Sequence, residues 1–62
     1  MIARLLLHAD TPLHQVAREA ANLRFDLLLV ASHPRARVDI GVKLRGNALE
    51  LIGTCYLEPE AA

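Results

Sequence analysis

Residues 38–55 fold back on themselves at the dipeptide Gly46-Asn47, and the two halves then match position by position. Gly at the first position of a two-residue loop suits a type II′ turn, because only Gly takes that positive φ at little cost. The pairs that follow run from Arg45 with Ala48, through Lys43 with Glu50, Gly41 with Ile52 and Asp39 with Thr54, to Val38 with Cys55. One face then carries Val38, Ile40, Val42 and Leu44 beside Leu49, Leu51 and Cys55. The other carries Lys43 opposite Glu50 and Asp39 opposite Thr54. Slipping the register by one residue would set apolar side chains against polar ones, so the pairing is well specified.

The rest of the chain has little length to work with. At 62 residues it forms one domain, residues 1–57, followed by a polar tail at 58–62 (Glu-Pro-Glu-Ala-Ala) expected to be flexible. A domain of this size buries only about 60% of its unfolded surface and needs further support. Cys55 is the one cysteine, so an internal disulfide is excluded. Yet 53% of the residues are hydrophobic and only Phe25 and Tyr56 are aromatic. The core is therefore aliphatic, with apolar surface left over. Seven basic residues balance seven acidic ones, which argues against electrostatic binding to nucleic acid or to a membrane. No stretch approaches the ~18 apolar residues of a membrane span, so a cytoplasmic location is expected.

Ile2 to His8 reads as a strand with apolar residues on both faces. Thr11 then reads as a helix N-cap, with Pro12 at the first helical position. Leu13, Val16, Ala17, Ala20 and Leu23 follow helical spacing, and the helix is expected to end near Arg24. Asp26 to Ala31 is an almost wholly apolar run that reads as a central strand, parallel to the first. The sum is an α+β fold of order β-α-β-β-β: a four-stranded mixed sheet with one helix on one face and a C-terminal β-hairpin. So short a helix leaves the far faces of the first two strands bare. Ile2, Leu6, Leu28 and Val30 are accordingly expected at the interface of a homo-oligomer, most simply a twofold dimer.

Few residues suggest chemistry. His8, Asp10, His14, His33 and Cys55 can ligate metals, but their spacing matches no zinc ribbon or H-E-x-x-H helix, and no metal or cofactor is expected. No Gly-rich phosphate loop, G-x-S-x-G or catalytic carboxylate pair is present, which points away from an enzyme. The most suggestive loop is His33-Pro34-Arg35-Ala36-Arg37. Its two arginines suit a phosphate or carboxylate. In the expected fold it shares a rim with the helix start, so Thr11, His33, Arg35 and Arg37 form the candidate anion site.

Two resemblances accompany this reading. Asp10-Thr11-Pro12-Leu13-His14-Gln15-Val16-Ala17, then Arg24 to Val30, then Gly41 to Leu49 resemble a single cystathionine-β-synthase (CBS) motif across about forty residues. Leu44 stands at that family's Thr/Ser position and Asn47 at its ribose-binding Asp. CBS motifs work in pairs, so the resemblance implies a half-domain that senses a nucleotide or another anion between subunits. Phe25 to Arg35 is also similar to a strand and loop of universal stress proteins, with Ala31 and Pro34 in place of glycines.

The function expected from the residues is a non-catalytic regulatory or assembly module that acts through homo-oligomerisation and protein contacts. The alternatives are the CBS-like anion sensor and an RNA-binding sheet surface using Lys43, Arg45 and Tyr56. A shortage of aromatic stacking residues disfavours the last.

Overall fold

The computed structural model describes residues 1–59. Four elements follow in order: β1 (Ile2–His8), α1 (Leu13–Ala31), β2 (Ala36–Arg45) and β3 (Ala48–Leu57). The three strands form one antiparallel sheet of order β1-β3-β2. This corrects the four-stranded mixed sheet expected from the sequence. β1 and β2 run in the same direction, but β3 lies between them and no parallel pair forms.

The correction originates at residues 26–31. They continue α1 rather than forming a strand. A short apolar run does not by itself distinguish a buried strand from a helix segment. Here the local chemistry favours the helix. Three leucines are good helix formers, only Val30 is β-branched, and neither Gly nor Pro intervenes before Pro34. Leu23, Leu27 and Ala31 recur at four-residue intervals and all meet the sheet. The helix ends at Ser32, which takes the left-handed conformation (φ 48°, ψ 46°) and donates its N–H to the Leu28 carbonyl at 3.0 Å. The start also differs from expectation by one residue. Pro12 is the N-cap and makes no side-chain cap bond. The Thr11 hydroxyl turns back instead and donates to the His8 carbonyl at 2.6 Å.

The hairpin register is the expected one, from Arg45 with Ala48 to Val38 with Cys55, and it extends to Ala36 with Leu57. Gly46 has φ +58° and Asn47 does not share a positive φ, as a type II′ loop requires. β1 then pairs with the other side of β3, from Ile2 with Thr54 to His8 with Ala48.

Period-two alternation sorts the sheet into two faces. The helix side holds Ala3, Leu5 and Leu7, then Val38, Ile40, Val42 and Leu44, then Leu49, Leu51, Gly53 and Cys55. The helix seats closely on Gly53, where a side-chain Cβ would lie 2.7 Å from Leu27 Cδ1. Around that point Leu27, Ala36, Val38 and Cys55 form the buried cluster. Leu51, in the central strand, is fully enclosed. Leu13 was expected on the apolar stripe but is exposed, because it begins the helix beyond this contact.

Of the segment 58–62, Glu58 donates its N–H to the Arg35 carbonyl at 2.9 Å, and residues 60–62 lie outside the described region.

Candidate functional site

The helix covers β2 unevenly. On the helix side of that strand Ala36 and Val38 are buried and Ile40 is half-buried. Val42 and Leu44 continue the same row but are 57% and 66% exposed. At the same end of the sheet Leu5, Leu7 and Leu49, on β1 and β3, are half-buried. Along β2 the missing cover therefore lies at the hairpin end, and on β3 the terminal Leu57 is exposed as well.

Beside the covered half of β2 runs an open apolar groove of about 570 Å³. The helix contributes Ala17, Ala20, Ala21, Arg24, Phe25 and Leu28, and the sheet contributes Ile40. Phe25 is 65% exposed at this groove. Leu29 and Val30, further round the helix, are also exposed. The groove, the bare end of β2 and the free edge of that strand adjoin one another. Sequence reading missed this surface because it treated residues 26–31 as a buried strand. The available signal was the apolar row Val38, Ile40, Val42 and Leu44, which is longer than the part of the strand the helix covers.

The four expected interface residues divide between two layers. Ile2 and Leu6 are exposed on the sheet face away from the helix. Leu28 and Val30 lie on the helix. The open sheet face also carries Arg37, Asp39, Lys43 and Arg45 on β2 and Glu50 on β3. Glu50, which sequence reading did not single out, is 8% exposed between Leu6 and Lys43 in the central strand, with Arg45 Nη1 3.8 Å from its Oε2. Its position in the central strand is what covers it.

The expected anion site is not gathered within one chain. Thr11 precedes the helix, while His33, Arg35 and Arg37 follow it. Nineteen helical residues at about 1.5 Å each separate them by roughly 28 Å. The loop groups are also engaged locally. Arg35 N–H donates to His33 Nδ1 at 3.1 Å, and Ala36 N–H donates to the His33 carbonyl at 3.0 Å. Arg37 donates to the Ala36 carbonyl at 3.0 Å and pairs with Glu58 at 2.9 Å. At the other end Asp10 N–H donates to His8 Nδ1 at 3.1 Å. Among the described residues no three His, Cys, Asp or Glu side chains converge on a metal position. Cys55 is buried in the core. No helix of the described residues is long and apolar enough to cross a membrane.

The fold is thus a two-layer α+β unit whose prominent surface is an apolar groove beside an open strand edge. No protein-family model, curated protein or solved structure matches the chain.

Proposed function

We propose that this protein is a non-catalytic assembly or regulatory module that acts by associating with itself and, in that form, with protein partners. The observation that carries the reading is the bare apolar surface formed by Phe25 and Leu28 on the helix and Val42 and Leu44 on β2. Burying apolar surface contributes about 25 cal/mol per Å², so leaving several large side chains in water forgoes several kcal/mol. With Leu51 the one fully enclosed large side chain among the described residues, so small a domain has little other stability to draw on. The cytoplasm suits the single cysteine, which has no partner with which to form a bond inside the chain.

Sedimentation velocity across micromolar concentrations tests the reading. A dimer or larger assembly is the expected result. A monomer at every concentration overturns it. Native mass spectrometry of the same sample examines the anion-sensing alternative. That alternative requires Thr11 of one subunit to meet His33, Arg35 and Arg37 of another, and it calls for an added mass of a few hundred daltons on the assembly.

A further inference from the structure

We propose that two copies of the chain join edge to edge through β2, antiparallel about a twofold axis at Gly41, to make one continuous six-stranded sheet. The inference rests on the self-association proposed above and specifies its geometry.

The first argument is the direction of the backbone groups. Strands β2 and β3 pair so that partner numbers add to 93, and Glu58 N–H donates to the Arg35 carbonyl in that same register. Hydrogen-bonded pairs alternate with non-hydrogen-bonded ones in an antiparallel ladder. Arg37, Asp39, Gly41, Lys43 and Arg45 therefore spend their backbone groups on β3. Val38, Ile40, Val42 and Leu44 turn theirs outward along the free edge. This edge is ten residues long and contains no proline. Such an edge is a template for another strand.

The second argument is the match of the side chains. About an axis at Gly41, Val38 lies opposite the partner's Leu44, and Ile40 opposite the partner's Val42. Each bare apolar residue is thereby set beside a residue that the other chain's helix covers. Val42 reaches the other chain's groove, whose floor is Ile40 and whose helix wall includes Phe25 and Leu28. The covered half of each β2 completes the uncovered half of the other.

Charge selects the register. On the open face this axis sets Asp39 opposite the partner's Lys43, twice by symmetry. Neither residue has an ion pair in the single chain among the described residues. Arg37 meets the partner's Arg45, but Glu58 and Glu50 already compensate those charges. An axis at Ile40 sets Arg37 against Lys43 with no acidic residue opposite. An axis at Val42 shortens the overlap and runs the strand end into the partner's loop.

Cysteine cross-linking tests this arrangement. Gly41 has no atom within 4 Å of the position its Cβ would take, so a side chain is tolerated. A non-hydrogen-bonded pair on the axis places the two Cα atoms about 4.5 Å apart, within disulfide range. In a Cys55→Ala background, Gly41→Cys is expected to form a disulfide-linked dimer under mild oxidation. Leu6→Cys, on the opposite edge of the sheet, serves as the collision control and is expected to stay largely unlinked. Equal linking of both variants, or preferential linking of Leu6→Cys, overturns the β2 arrangement. A charge exchange gives a second readout. Asp39→Lys should weaken dimerisation by about tenfold, and adding Lys43→Asp should restore most of it. A parent protein that sediments as a monomer refutes self-association itself. A dimeric parent whose Gly41→Cys variant does not link refutes only this geometry.

Discussion

Replacing Gly53 by alanine probes a close approach between helix and sheet. The added Cβ would lie 2.7 Å from Leu27 Cδ1 and 3.1 to 3.2 Å from two atoms of Leu23. Carbon atoms at ordinary contact are about 3.5–4.0 Å apart, so the overlap with Leu27 is about 1 Å. Leu27 is buried, and it cannot swing away without leaving its packed rotamer. Forcing a methyl into such a site costs about 1–3 kcal/mol. Alanine recovers about 0.5–1 kcal/mol of that, because it has less backbone freedom to lose than glycine. The midpoints of these ranges leave a net destabilisation of about 1.3 kcal/mol. In a domain this small that lowers Tm by about 5–10 °C, measured by circular dichroism at fixed protein concentration. Leu27→Ala supplies the control. Alone it should cost about 2–4 kcal/mol, because it empties the centre of the core. In that background Gly53→Ala should cost clearly less, since the closest clash is gone and only the tight approach to Leu23 remains. A Gly53→Ala protein as stable as its parent, or an equal loss in both backgrounds, would refute the account of how the helix seats.

Three further substitutions test other parts of the reasoning. Ser32→Gly removes the strain of a non-glycine residue at φ 48° and should raise stability by about 0.5–1 kcal/mol in urea unfolding. Gly46→Ala places a Cβ at φ +58° and should cost about 1–2 kcal/mol by the same assay; no loss would mean the II′ loop is not strained by a side chain. Arg37→Ala gives up a half-exposed pair with Glu58, so urea unfolding should shift by no more than about 1 kcal/mol.

The hairpin was legible in the sequence because its information is local. Gly46 prescribes the turn, and a period of two then ties every residue of 38–45 to a partner in 48–55. The strand at 2–8 and the existence of a helix after Pro12 were legible for the same reason. The run Asp26 to Ala31 was not, because a short apolar run does not by its pattern separate a buried strand from a helix segment, and helix propensity alone is a weak guide. The seating of Leu23, Leu27 and Ala31 on one face of the sheet confirms the helix. That decision relocated the candidate sites. It lengthened the helix until Thr11 and the His33–Arg37 loop stood at opposite ends, and it moved Leu28 and Val30 from a sheet face to a helix surface. It also fixed how far the helix covers β2, and so where Val42 and Leu44 stay bare. By itself the sequence determined which residues pair across Gly46-Asn47 and that apolar surface exceeds what one small core can bury. Where that surplus lies was decided by tertiary packing, because a helix covers only the strands it crosses.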